Sequence, residues 1–336
     1  YGGIVGNFSG TTFDGYRQNS DGEKYTVNLG FKGTISDKTF LSTVLTGGYN
    51  LYHIPGPLTL DQFNSDPTAA NATYLKREER RKNHTLRLGL NIEHLYDENN
   101  SISATIFSNP KYLQRSERNT FRDFTRYHIG GAVSYKNELQ INDNVKNIAI
   151  AGIDEAYQDG AILFYNLTAT SGRGTLKENK SEGANNLGGF IQDELIINDK
   201  WSVLLGLRWD EISYYSASYF VEGETELPPY EAKHYSHLTP KAALSYRFTD
   251  KNMVYASIGG GIEVPAGNET SPNADYPNLQ INPLLEPIIS TTYELGTKNL
   301  MECDQSIVSS VRYEAALYYI DVKNELVPYS EGKFYM

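Results

Sequence analysis

Residues 24–32 read Lys-Tyr-Thr-Val-Asn-Leu-Gly-Phe-Lys, with Tyr25, Val27, Leu29 and Phe31 large and apolar and every even position polar or glycine. An extended chain sends alternate side chains to opposite faces, so this segment is a strand with one oily and one wet face. The same alternation returns in Leu86, Leu88, Leu90 and Ile92, in Trp201 to Trp209, in Ala242 to Phe248, and in Tyr293 and Leu295. The repeating unit is roughly 10 residues, the length a tilted strand needs to cross a bilayer.

Alternation alone does not separate a membrane barrel from a soluble sandwich, but the turns do. Short polar turns fall at Ser36-Asp37-Lys38, Asp97-Glu98-Asn99-Asn100, Asn142-Asp143-Asn144, Asn198-Asp199-Lys200, Thr249-Asp250-Lys251-Asn252 and near Glu302-Cys303-Asp304. They recur about every 45 to 60 residues, far wider than the roughly 8 to 12 of a sandwich. Longer polar stretches lie between them, near 14–23, 53–80, 110–122, 166–185, 216–235 and 262–290. Each period is therefore a short turn, a strand, a long loop and a returning strand, the asymmetry of outer-membrane barrels. The pattern predicts about 13 antiparallel strands of an incomplete transmembrane β-barrel. They lie near 2–12, 24–34, 38–52, 82–97, 100–115, 119–137, 145–165, 184–197, 201–218, 234–249, 252–262, 290–302 and 309–327. The facing of 252–262 is open, because Val254 and Ile258 compete with Met253 and Tyr255. One helical turn is expected within 59–72, capped at Thr59 and stopped before Pro67.

Composition is consistent with this class. Hydrophobic residues make up 39% of the 336, and no run approaches the roughly 18 apolar residues of a transmembrane helix. Tyr is abundant, 26 against 13 Phe and 2 Trp, which suits both strands and a membrane interface. A net charge of −11 argues against nucleic-acid binding. Cys303 stands alone, so neither an internal disulfide nor a cysteine metal motif is available. The opening Tyr1-Gly2-Gly3-Ile4 is no export signal and Lys333-Phe334-Tyr335-Met336 looks like a strand beginning, so the chain is expected to be part of a longer one.

Several segments resemble the barrel of TonB-dependent outer-membrane receptors. Asn186-Leu187-Gly188-Gly189-Phe190-Ile191-Gln192-Asp193-Glu194 followed by Trp201 to Asp210 is similar to a recurring hairpin of that family. Leu238 to Phe248, Tyr255 to Ala266, Leu284-Leu285-Glu286-Pro287 and Thr292 to Lys298 resemble further segments in the family's order. The loop Ile54-Pro55-Gly56-Pro57-Leu58-Thr59 with Asp66-Pro67 looks like the branch handling ferric siderophores and ferric citrate. The resemblance implies a barrel of about 22 strands filled by an N-terminal plug that contacts TonB. Residues 1–336 would then be its central part, without the plug or the C-terminal strands. About one strand would precede Tyr1 and about eight would follow Met336. The Gly-rich Gly259-Gly260-Gly261 departs from the family pattern. Tyr25, Val27, Leu29 and Phe31 are then expected to face lipid, and Lys24, Asn28 and Lys32 the lumen.

Two basic groups are the candidate ligand-binding residues. Arg77, Arg80 and Arg81 lie in the run Lys76-Arg77-Glu78-Glu79-Arg80-Arg81-Lys82, where a long loop re-enters a strand. Arg115, Arg118, Arg122 and Arg126 follow, the last three sharing a face in an unbroken strand. Arginine forks bind carboxylates and phosphates two-pronged, and ferric chelates are often anionic. The competing readings are a solvated rim meeting anionic lipopolysaccharide, and a salt-bridged lumen wall holding the plug. His234 and His237 fall on opposite faces of a strand and make no metal pair. No cofactor is expected, and iron would arrive already chelated. Gly259-Gly260-Gly261 lacks the Lys-Ser/Thr of a phosphate loop, and no Gly-x-Ser-x-Gly elbow is present. The expected activity is uptake of a ferric chelate through TonB. A receptor for cobalamin, a quinone cofactor or a glycan, or a passive porin, are the alternatives.

Overall fold

The computed structural model describes residues 1–117, 120–170, 172–264, 279–303, 308–325, 328–330 and 334–335. Thirteen long strands form one antiparallel sheet in chain order. They are β1 (Gly2–Phe13), β2 (Gly22–Ser36), β3 (Thr39–His53), β4 (Arg80–Leu95), β5 (Asn100–Ser108), β7 (Thr120–Asn142), β8 (Val145–Asp159), β10 (Arg173–Ile197), β11 (Trp201–Val221), β12 (Glu231–Thr249), β13 (Asn252–Glu263), β14 (Ile288–Glu302) and β15 (Ser310–Lys323). Two shorter strands, β6 (Lys111–Glu117) and β9 (Ala161–Leu167), continue β5 and β8 in unchanged register. The pair β16 (Pro328–Ser330) and β17 (Phe334–Tyr335) stands apart. The spans read as single strands at 100–115 and 145–165 are thus broken once each, for local reasons. Pro110 has no N–H to give to the ladder. At Gly160 a Cβ would lie 1.9 Å from the Thr125 carbonyl oxygen, so only glycine permits the approach.

Five of the six short turns fall where the sequence places them, between β2 and β3, β4 and β5, β7 and β8, β10 and β11, and β12 and β13, and the sixth, near Glu302-Cys303-Asp304, runs outside the described residues. The long connections are less loop-like than expected. The described residues of 110–122 and 166–185 are largely strand, 216–235 is strand at both ends, and β10 runs for 25 residues, about 80 Å of chain. Such hairpins overshoot a hydrocarbon layer of about 30 Å and project beyond it. Within 54–79 lie α1 (Leu60–Ser65), opened by a reciprocal Thr59–Gln62 capping box, and α2 (Ala72–Arg77), capped by Asn71. The second helix was not expected, since it offers only six residues and an Asn cap as signal.

Register puts the apolar residues of neighbouring strands on one face. Leu29 opposes Leu45, which opposes Leu88, and Tyr25, Tyr49, His84 and Tyr112 form a continuous ring-to-ring row. At the turn end Trp201 stacks on Tyr246 with centroids 4.4 Å apart. These aromatic rows bound the apolar band as interfacial girdles do. The oily face is the exposed one: Leu205 is 59%, Ile153 62% and Ile191 59% accessible. On the opposite face Asp210 retains 4% and Ser216 5%. A flat single sheet would expose both faces alike, so the sheet curls towards its polar side. Val254 and Ile258 join the exposed face, settling the orientation of β13. The total accessible area is 21031 Å², whereas a compact monomer of 37.7 kDa exposes about 14,000 Å². The arrangement is inside-out relative to a soluble protein. The buried apolar residues among those described, Phe121, Ile162, Ile212, Ile281 and Leu285, all lie at the loop end.

Mid-wall on the polar face, Arg208 donates two-pronged to Asp154 at 2.7 and 2.9 Å and also holds Asp210. The guanidinium lies over Gly188, where a Cβ would stand 2.0 Å from Nη2.

Candidate ligand-binding site

At the loop end of the inner, polar face the register builds a row that spacing alone does not reveal. Arg81 of β4 opposes Arg115 of β6, which opposes Arg122 of β7, which opposes Phe164 of β9. Directly opposed side chains on neighbouring strands share a face about 5 Å apart, and like charges so placed repel. Phe124 and then Arg126 follow Arg122 on the same face, and Arg126 opposes Lys111. Arg122 lies over the Phe164 ring at 5.0 Å and Lys180 over the same ring at 5.9 Å. The tip of the wall is thus a basic surface with the ring pair Phe124–Phe164 beside the charges.

Local partners fix these cations. The Arg81 Nη1 donates to the Tyr52 hydroxyl at 3.2 Å, while its buried Nε meets no acceptor among the described residues. Arg126 donates to the Gly160 carbonyl at 3.1 Å and to Glu182 at 3.0 Å, and Lys180 pairs with Glu182 at 2.6 Å. Of the residues singled out from sequence, Arg81, Arg115, Arg122 and Arg126 are brought together. Arg80 is not: it alternates to the opposite face, and its backbone N–H donates to Ser116 Oγ at 2.9 Å. Arg77 ends α2 and faces Glu79 at 3.6 Å. Arg118 lies outside the described residues. Lys111, Lys180, Phe164, Tyr52 and Glu182 join the row through pairing alone and carry no signal of it in the sequence. The signal that reaches the row is the turn at Asp97–Asn100, since Arg81 and Arg115 each stand seventeen residues from Glu98.

Beside this wall, the 54–79 excursion closes on a buried acid. Glu79 is fully buried, and its backbone carbonyl takes the Ile54 N–H at 2.7 Å and the Asn19 side-chain amide at 3.4 Å. Burial pushes its carboxyl above the ordinary value, and Arg77 opposes the shift. A carboxyl raised in the folded state favours folding when protonated. The excursion is therefore held most firmly below the unfolded carboxyl value and loosens as pH rises through the raised one. Glu79→Gln is expected to slow hydrogen exchange across 54–79 at neutral pH and to change nothing in acid. Slower exchange at both pH values would show that charge is not the cause.

Across the mouth, residues 279–287 fold back onto the inner face of β11 and β12. Ser216 donates to Gln280 Oε1 at 3.0 Å, and the Ile281 N–H donates to Glu231 at 2.7 Å. The Tyr235 hydroxyl donates to the Leu285 carbonyl at 2.9 Å. The Lys233 ammonium reaches the carbonyls of Leu285, Pro283 and Asn282. Both anchors lie beyond the Trp209–Leu238 rung that ends the apolar band. Burial holds Lys233 below its ordinary value and pushes Tyr235 up to about 12. A small cleft separates this segment from the basic wall, lined by Arg126, Gln158, Glu182, Ser216, Gln280 and Ile281. Among the described residues no three His, Cys, Asp or Glu converge as a metal site.

The family model described as TonB dependent receptor-like, beta-barrel, matches residues 6–335. No curated protein matches the chain in sequence. Among solved structures, the unliganded ferric citrate transporter FecA superposes with a TM-score of 0.75 at 17% identity, over 96% of this chain and 46% of that one. The closed form of the ferric-catecholate import receptor Fiu from E. coli K12 gives 0.70 at 14% identity, over 99% and 56%. The copper transporter OprC gives 0.67 at 12% identity, over 97% and 50%. The chain spans about half the length of these structures, and at such identities the likeness is one of fold.

Proposed function

The chain belongs to the family of TonB-dependent receptor-like β-barrels, and on that premise we propose that it forms part of the wall of an outer-membrane receptor for uptake of a ferric chelate. The ligand is a siderophore or a ferric-citrate-like complex, captured at the loop end, with entry driven by TonB through a plug. Lipid and lipopolysaccharide meet the exposed apolar face and its rim. Iron is cargo, already held by its chelator, and no bond is made or broken.

The observation that carries this reading is the cross-strand row Arg81–Arg115–Arg122 with Arg126 and Lys111 below it. A chelate with outward carboxylates suits such a concentration of arginine forks, which can hold a carboxylate two-pronged. Phe164 supplies a flat apolar surface beside the charges. The test uses the whole receptor with Arg115→Ala and Arg122→Ala. Each is expected to weaken ferric citrate binding by about 1.5–3 kcal/mol, roughly 10- to 150-fold, and to leave a neutral ferric hydroxamate chelate unaffected. Equal loss for both ligands, or none for either, would overturn the anion reading.

A second reading rests on the fold being shared with a copper transporter. A non-iron ligand would then occupy the same wall, and competition against ferric citrate by that ligand alone would select it.

A further inference from the structure

Residues 279–287 are held against the inner wall without any ladder. Four side chains of β11 and β12 do the holding, namely Ser216, Glu231, Lys233 and Tyr235. Within the segment Asn282 and Leu285 are buried, at 0% and 1% exposure, and Ile281 retains 6%. Lys233 differs from the other three in the number of backbone groups it satisfies. Its ammonium carries three N–H donors and meets the carbonyls of Asn282, Pro283 and Leu285, of which Asn282's also takes the Leu285 N–H and Leu285's the Tyr235 hydroxyl. The far side of the same segment presents Gln280 and Ile281 to the cleft whose opposite wall is Arg126 and Glu182.

We propose that Lys233 is a positioning residue that pins 279–287 as a fixed strap, and that the strap forms the far wall of the cleft in which Arg126 meets its ligand. Lys233 touches no ligand itself. It sets the width of the cleft, and hence which chelates reach Arg126, by cancelling the carbonyl dipoles of the strap. Gln280 cannot swing freely in this arrangement, because its amide nitrogen is bound to the Pro228 and Pro229 carbonyls and its oxygen to Ser216. The strap is thus a constriction built into the wall. The cleft's role as a ligand site rests on the function proposed above, whereas the pinning does not.

The experiment uses the whole receptor in a Cys303→Ser background with Ile281→Cys as a thiol reporter. In the parent the reporter is shielded from a soluble maleimide. Lys233→Met is expected to raise its labelling rate about tenfold or more and to shift the ferric citrate dissociation constant by about tenfold, with Lys233→Arg restoring both. Electrophoretic mobility of the unheated barrel controls for folding, and a Met variant that misfolds is replaced by Lys233→Gln. Unchanged labelling overturns the pin. Raised labelling with unchanged ferric citrate affinity overturns the wall. If the parent binds no ferric citrate, the functional reading fails, and the labelling alone decides whether Lys233 holds the strap.

Discussion

Leu29→Arg is expected to destabilise the folded barrel in a bilayer by about 2–4 kcal/mol, whereas Asn28→Arg, one residue away, costs about 1 kcal/mol or less. The two positions are neighbours in β2 and point to opposite faces. Leu29 is 47% exposed, in line with Leu45 and Leu88 on the strands beside it. In lipid that exposure is burial in hydrocarbon, and a guanidinium there must shed its water or drag water in. Asn28 lies on the polar face, where it takes a hydrogen bond from Thr46 at 2.9 Å. An arginine at that position keeps its charge in the aqueous lumen. A soluble sheet with its core on the oily side would also resent Leu29→Arg. It would not, however, regain stability on transfer from water to bilayer. Urea titration of the whole receptor, folded into vesicles, measures both variants, and equal costs would contradict the facing.

Arg208→Leu is expected to cost about 3 kcal/mol, the lower end for breaking a buried pair, because Arg208 and Asp154 each keep a third of their side-chain exposure. The substitution leaves two carboxylates on one wall, of which Asp210 is almost wholly buried. Gly188→Ala should reproduce part of the loss without touching a charge. Its methyl would occupy the space of the guanidinium, so the two-pronged contact with Asp154 must break or shift. Double-mutant cycles between Gly188→Ala and Asp154→Asn would then show coupling, and strict additivity would refute the shared geometry.

Much of the wall is legible in the sequence, because a strand's period of two and the polarity of its turns are local properties. Tyr25 to Phe31 and Trp201 to Trp209 state their faces outright, and Thr59 with Gln62 states a helix start. The loop end is harder. Residues 166–185 and 216–235 carry little regular alternation, as a loop would, yet most of the first and both ends of the second are strand. Hydrophobic alternation fades there for want of a lipid side. The arginine row needs long-range alignment: Arg81 meets Arg115 only once the turn at Asp97–Asn100 fixes the register. Arg80 fails for the same reason in reverse, since its position beside Arg81 in the chain places it on the other face. The strap at 279–287 has no periodicity to read, and its anchors, Ser216, Glu231, Lys233 and Tyr235, are ordinary residues until the fold brings them under it.

The central claim is that the oily, exposed face is the lipid face and the polar, half-buried face is the lumen. Spin labels placed singly at positions 24 to 32 of the whole receptor in bilayers test it most directly, through their collision rates with oxygen and with a water-soluble nickel chelate. The expected result is strict alternation, with oxygen favoured at 25, 27, 29 and 31 and the nickel chelate at 24, 26, 28, 30 and 32. A pattern of the opposite phase, or nickel access at every position, would contradict it.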